Sequence, residues 1–539
     1  LNGQDPIAWA KAYIAELNEK EKAGKREINV SFSPAKTMDF NKQVLFNGGY
    51  LFLQAIYHLL GLDSITKKIA QKHKFMFDLN AILSNLLYAR ILFPSSKLAA
   101  MQLVKKFLEQ PSFELQHVYR ALGIIAQEND LIQSELYKNS LLVAQRNTHI
   151  LYYDCTNFFF EIEQEEGLRQ YGISKEHRPN PIVQMGLFMD GDGIPLAFNI
   201  SPGNTNEQVT LTPLEEKLLQ DFELSKLVVC TDAGLASTAN RKFNDKKDRA
   251  FITTQSIKKL KKPLQEWALD KTGWRIPGKD GLFDISKIDT DEAVAEAYKS
   301  TTFYKERWIK ENGFEQRLVV TFSLKYRYYQ RSVRQSQIER AMKAIEKNPQ
   351  KIGKTNQNDY KRFISKKSIT SDGEIAKKNI FSMDTDRIAK EESFDGYYAI
   401  CTNLEDEALK IIEINHQRWE IEESFRIMKS EFHSRPVYLS RDDRIRAHFM
   451  TCFLALTLYR FLELRLDKRF TCHQIIDGLK SMNFHKIKSE GFIPTYEYDE
   501  FMEALHAEFP FKTNMQIIPT QEMKNIFKAS RNRKALLKK

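Results

Sequence analysis

Cysteine is scarce in this chain: five residues in 539, at Cys155, Cys230, Cys401, Cys452 and Cys472. They are odd in number and widely separated, with no C-x-x-C pair. That argues against a disulfide framework and a thiolate zinc site, and for a reducing compartment. Long apolar runs are missing too. The longest, Phe449 to Tyr459, is closed by His448 and Arg460, is too short to span a bilayer and reads as a buried helix. The opening residues Leu1-Asn2-Gly3-Gln4-Asp5 carry neither the basic nor the apolar segment of a secretory signal. They also lack an initiator Met, as if a tag or an upstream segment were lost. No internal repeat is visible. These absences lead to the expectation of a soluble, cytoplasmic protein with no membrane partner.

What is present is enough apolar material for a folded core, 42% of residues, and a length that suits two to four domains. Lys and Arg number 81 against 70 Asp and Glu, a net charge of +11. Such an excess suggests an anionic partner, nucleic acid ahead of a membrane surface.

The chain changes texture several times. Residues 1–145 read as a helical N-terminal domain, a candidate for DNA binding, with apolar positions at helical spacing through Tyr50 to Leu60 and at Leu79, Ile82, Leu83, Leu86 and Leu87. Pro94-Ser95-Ser96 reads as a turn and N-cap. Residues 146–255 read as the first part of a mixed α/β core. A strand is expected to end at Asp154, and Val183 to Met189 and Ile194 to Ile200 form a hairpin around a Gly/Asp turn. A helix from Val209 to Leu219 and a buried strand ending in Asp232 follow. Residues 256–392 read as an insertion subdomain, with a strand-like piece at Arg317 to Phe322 and flexible basic loops between Lys347 and Lys378. The core resumes over 393–470, with a strand at Gly396 to Thr402 and a long helical region over 405–432. Residues 471–539 form a C-terminal helical region with a basic tail.

Asp154 and Asp232 both fall at expected strand ends, where open α/β sheets bind ligands, and hard ions such as Mg²⁺ take oxygen ligands. A third acid comes from the helical stretch Arg418-Trp419-Glu420-Ile421-Glu422-Glu423-Ser424-Phe425-Arg426-Ile427-Met428-Lys429. Helical spacing puts Arg418, Glu422, Arg426 and Lys429 on one face, beside an apolar stripe of Ile421, Phe425, Met428 and Phe432. Glu423 is a rival to Glu422, but it breaks both spacings to the cations.

Tyr153-Asp154-Cys155-Thr156, Thr231-Asp232-Ala233-Gly234 and Arg418-x3-Glu422-x6-Lys429, in that order, resemble the signatures of bacterial insertion-sequence DDE transposases. Gly203-Asn204-Thr205-Asn206-Glu207 resembles the Gly-Asn-Thr-x-Glu element those proteins carry before the second Asp. The similarity spans roughly residues 149–465. It departs at Asn415, where the family usually has a Tyr that helps to hold a phosphate of the transposon end.

The resemblance implies a ribonuclease-H-like mixed sheet with flanking helices, interrupted by an insertion between Asp232 and Glu422. It implies a transposase that cleaves element ends and joins the 3′-hydroxyl to target DNA with two Mg²⁺ (or Mn²⁺) ions held by Asp154, Asp232 and Glu422. Arg418, Arg426, Lys429 and Asn415 are the expected phosphate contacts, DNA ends and target DNA the partners, a homodimer the active form, and the bacterial nucleoid the place of action. A nuclease that cuts without joining, and a silent DNA-binding derivative, are the alternatives. Relatives often stack a flipped base on an aromatic, for which Trp267, Trp274 and Trp308 are candidates, though each reads first as packed in the insertion's own small core.

Lys325-Tyr326-Arg327-Tyr328-Tyr329-Gln330-Arg331 interleaves cations with aromatics, as a nucleic-acid surface or a solvated strand edge would. Lys325, Arg327 and Arg331 are therefore further candidates for DNA contact. His448 reads as a satisfied core histidine, and Lys258 to Lys262 as a solvated basic loop without a role.

Overall fold

The computed structural model describes residues 6–23 and 42–538 apart from 225, 312, 348–358, 370–377 and 489, with scattered positions between 28 and 40. Most of the Lys-rich stretch expected between Lys347 and Lys378 lies outside the described residues.

The centre of the molecule is an eight-stranded mixed sheet. Its strands in chain order are β1 (Ile150–Phe159), β2 (Ile182–Asp190), β3 (Pro195–Pro202), β4 (Leu227–Thr231), β5 (Arg249–Thr254), β6 (Thr302–Glu311), β7 (Phe314–Ser323) and β8 (Tyr397–Thr402). In space the order is β3-β2-β1-β4-β5-β8-β7-β6. The hairpin around the Gly/Asp turn is β2–β3, antiparallel to each other and to β1. β4 and β5 run parallel to β1, and β8, β7 and β6 close the sheet antiparallel.

Two expectations change here. Asp154 lies in the middle of β1, not at its end, because the aromatic run through Phe158 and Phe159 continues the strand against β2. The segment 256–392 adds β6 and β7 to the edge of the same sheet, hydrogen-bonded to β8.

Local chemistry accounts for the helices around this sheet. Ser96 accepts a hydrogen bond from the Ala99 amide and starts Lys97–Leu103, as the N-cap pattern predicts. The apolar stretches at Tyr50–Leu59 and Leu79–Leu92 form helices that, with Leu115–Gln127, pack on the long helix Asp442–Arg465. That helix is buried from Ala447 to Glu463, which accounts for its all-round apolar sequence. One hydrophobic cluster runs from Tyr50 through this helix to Leu536. No helix among the described residues is long and apolar enough to cross a membrane.

Candidate active site

Side chains alternate faces along a strand, and β1 uses both. Tyr153 and Cys155 point to the side covered by the helix Leu211–Asp221. Tyr152, Asp154, Thr156 and Phe158 point to the opposite side, where the helices of residues 408–431 lie. There the Tyr152 hydroxyl donates to the Ile414 carbonyl at 3.0 Å, and Lys429 Nζ donates to Thr156 Oγ1 at 2.6 Å.

The two aspartates meet through strand register. β4 runs parallel to β1 with Tyr153 opposite Thr231, the last residue of β4. The next pair in that register is Asp154 and Asp232. Asp232 turns the chain away, its Oδ1 accepting from the Gly234 and Leu235 amides at 2.9 and 3.0 Å. Asp154 Oδ1 accepts from the Cys155 amide at 2.8 Å. Burial raises the Asp154 pKa to about 7, and Asp232 adds to the rise while Lys175 and Arg418 oppose it.

The long helical region expected over 405–432 breaks at Gln417-Arg418 into Ala408–His416 and Trp419–Arg426. The second helix and the turn after it bury Ile421, Phe425, Met428 and Phe432, the expected apolar stripe. Arg418 and Glu422, one turn apart, pair at 3.0 Å. Burial works against the Arg418 charge, but Glu422 and Asp154 help to outweigh it and raise its pKa. Arg418 is therefore the link between Glu422 and the sheet. Glu423 turns the other way, to the buried Arg460 at 3.2 Å, which also pairs with Glu463 at 2.7 Å.

Past Arg426 the helix widens to a π-turn, Ile427–Glu431, in which the Phe432 amide donates to the Ile427 carbonyl. The extra residue re-aims the following side chains. Lys429 is brought to Thr156, while Arg426 is exposed and pairs with Glu423 and Glu431. The single face expected for Arg418, Glu422, Arg426 and Lys429 is thus divided. Burial and the nearby Lys175 lower the Lys429 pKa to about 8.

Two further expectations are corrected. Asn415 is buried, its Nδ2 donating to the Tyr398 hydroxyl at 3.1 Å, so it is committed to the interior instead of to a phosphate. Lys325-to-Arg331 opens the helix Leu324–Lys347 and is not a strand edge. Within it Arg327 is buried against Asp289 and Arg331 lies 3.7 Å from Asp395, while Lys325 is exposed. Trp274 is fully buried beside Phe322 and Tyr397, which leaves Trp267 and Trp308 as the accessible members of that set. His448 is a satisfied core histidine, its Nε2 3.1 Å from the Ser434 carbonyl.

Two residues without an assigned role complete the surroundings of Asp154. Lys175 donates to the Cys155 carbonyl and lies 3.2 Å from Glu207. Burial opposes its charge, yet Asp154 and Glu207 raise its pKa. Glu207 closes the Gly203-Asn204-Thr205-Asn206-Glu207 element, which Gln184 holds by donating to the Gly203 and Thr205 carbonyls. That element was legible in the sequence; its partner Lys175, in a loop, carries no pattern of its own.

Among the described residues no three His, Cys, Asp or Glu side chains converge closely enough to hold a metal ion. The aspartate pair still has suitable donor chemistry. It is an acid pair with one member held near neutrality, and Mg²⁺ needs only one or two carboxylates besides waters. Glu422 would join them only by exchanging its Arg418 partner.

The family model for the transposase DDE domain matches residues 158–458. The chain belongs to that family. The matched range contains Asp232 and Glu422, and begins four residues after Asp154. Among solved structures, the cryo-EM structure of a piggyBac transposase synaptic complex with hairpin DNA is 7% identical, with 81% of this chain and 80% of that chain covered. Its TM-score is 0.38, a likeness too distant to carry weight for the family's site. No curated protein matches the chain significantly.

Proposed function

We propose that this transposase cleaves the ends of an insertion sequence and joins the resulting 3′-hydroxyl to target DNA, on a ribonuclease-H-like core. The strand order β3-β2-β1-β4-β5, with an antiparallel first half and parallel β4 and β5, supports that core. The observation that carries the activity is the closeness of Asp154 and Asp232, which directly follow the last register pair of β1 and β4, beside Arg418 and Lys429.

Asp154, Asp232 and Glu422 would hold two Mg²⁺ (or Mn²⁺) ions, whose chemistry is stabilisation of the charge that develops during in-line displacement at phosphorus. Arg418 and Lys429 bind phosphates on either side of the acids and orient the strand. Lys175 offsets the negative charge of Asp154 and Glu207 while the site is free of DNA. Because two ends have to be brought together, the active form is a homodimer acting in the nucleoid.

The test is a strand-transfer reaction with paired element ends, a target plasmid and Mg²⁺. Joined product is expected, and none with a chelator. Cut ends without joined product would make the protein a nuclease. Bound but uncut ends would make it a silent DNA-binding derivative.

A further inference from the structure

The connection between β1 and β2 passes beside the acids, and two consecutive residues of it, Lys175 and Glu176, carry opposite charges to opposite halves of the site. Lys175 serves the acids. It donates to the Cys155 carbonyl, and Asp154 and Glu207 sustain its charge. Glu176 serves the cations. Its Oε1 lies 3.7 Å from Lys429 Nζ and in contact with Arg435 Nη1. Lys429 is itself fixed at the cluster by Thr156, two residues from Asp154 along β1.

The Glu176 carboxylate has the marks of a stand-in. Its Oε1 is shielded from solvent and accepts no hydrogen bond among the described residues, so ion pairs alone offset its burial. Burial also disfavours the Arg435 charge, and Glu176 is its acidic partner among the described residues. One shielded oxygen between two cations is what a phosphate oxygen of a nucleic acid would provide as well. The loop that supplies Glu176 is lightly held. Every residue from Tyr171 to Asn180 is exposed or half-buried, and Ile173 is 90% exposed. Asn157 ties it to β1, donating to the Ile173 carbonyl at 3.1 Å and accepting from the Lys175 amide at 3.3 Å. A segment with so few buried contacts opens at low cost. Arg178, 3.8 Å from the other Glu176 oxygen, is exposed and belongs to the same loop.

We propose that Lys429 and Arg435 form a two-cation seat for one phosphate of the DNA strand, which Glu176 fills until the strand displaces it. Arg435 is then a phosphate-binding residue and Glu176 a built-in competitor. That the phosphate belongs to an element end rests on the transposase reading; the seat does not.

The experiment measures end binding by the full-length protein by fluorescence anisotropy, with a chelator present so that binding is read apart from cleavage. Glu176→Gln should bind about threefold or more tightly, because the competing charge is gone. Arg435→Gln should bind about tenfold more weakly, with a salt slope lower by about 0.9. In the double variant the gain from Glu176→Gln should shrink, since part of the seat it frees is missing. Glu163→Gln makes the same change of charge at an exposed position of the same connection and should bind like the parent. The proposal is overturned if Glu176→Gln binds no better than Glu163→Gln, or if Arg435→Gln melts like the parent and keeps its affinity. Glu176→Gln decides alone should Arg435→Gln melt early. Inorganic phosphate, read by thermal shift, tests the other source of the anion. If it stabilises Glu176→Gln while no variant changes end affinity, the seat takes free anions and the proposal fails. Should the variants shift affinity as expected while no joined product forms in the strand-transfer reaction, the seat stands and the transposase reading falls.

Discussion

Lys429 donates to Thr156 Oγ1, two residues along β1 from Asp154 and on the same face of the strand. The bond fastens the π-turn to the sheet and sets an ammonium beside the acid cluster. Its consequence is electrostatic, because burial keeps this amine close to losing its proton.

Removing that charge should weaken binding to element ends about tenfold and reduce the salt slope by about 0.9. The amine pKa is lowered to about 8, so the charged form dominates below pH 8 and is lost above it. Affinity of the free protein for ends is expected to fall as pH rises through 8. In Lys429→Arg, whose guanidinium stays charged, that fall should vanish. Fluorescence anisotropy at several salt concentrations and pH values reads both effects.

Asp154 gives a second pH signature. An unfolded chain loses this proton near pH 4, about the usual value, whereas the folded protein keeps it to about 7. Between those values the native state binds more protons, so stability declines as pH rises across that window. In metal-free buffer Asp154→Asn should flatten the decline in Tm. Asp232→Asn should move the Asp154 titration downward, since Asp232 is one cause of the rise, and Lys175→Met should move it upward. Carboxyl NMR reads the titration directly. Both Asn variants are expected to lose chemistry by at least about 1,000-fold with end binding retained.

The two adjacent glutamates separate by function. Glu422→Gln frees Arg418 and removes a metal-ligand candidate, and cleavage should fall by about 100-fold or more. Glu423→Gln loses one of several partners of Arg460, at a stability cost of about 1 kcal/mol, with cleavage nearly unchanged. Single-turnover cleavage beside thermal melts distinguishes them; the reverse pattern would transfer the third acid to Glu423.

In the helix Leu324–Lys347, neighbouring cations should behave differently. Arg327→Ala breaks a half-buried contact with Asp289 and should cost about 1–2 kcal/mol in denaturant unfolding. Lys325→Ala is expected to leave stability within about 0.5 kcal/mol while weakening end binding.

Much of this site was legible because its parts lie in local patterns. Ser96 announces a helix by its capping oxygen, and Ile421, Phe425 and Met428 repeat at helical spacing. Asp154 was misplaced along its strand because an acid among aromatics looks like an end, whereas here it is tolerated where the parallel neighbour stops. The alternation in Lys325-to-Arg331 left a nucleic-acid surface and a solvated strand edge both open, yet the burial of Leu324, Arg327, Arg334 and Ala341 follows helical spacing, with Arg327 and Arg334 paired to Asp289 and Asp395. Lys175 and the π-turn at Lys429 were invisible for another reason. Both depend on contacts made only after distant segments meet, and neither leaves a period in the sequence.

Because β8 lies between β5 and β7, the segment that interrupts the acid motif is woven into the sheet that carries those acids. It therefore cannot be trimmed away as a detachable module. Deleting β6 and β7 would strip the outer hydrogen-bonding edge of β8 and take away Phe303, Leu318 and Phe322, uncovering Tyr397 and Trp274 in the apolar layer they share. A shortened enzyme would expose an adhesive strand edge of the kind that drives self-association. For anyone shortening this protein, the permissible cuts lie in the loops between its strands, not across the sheet.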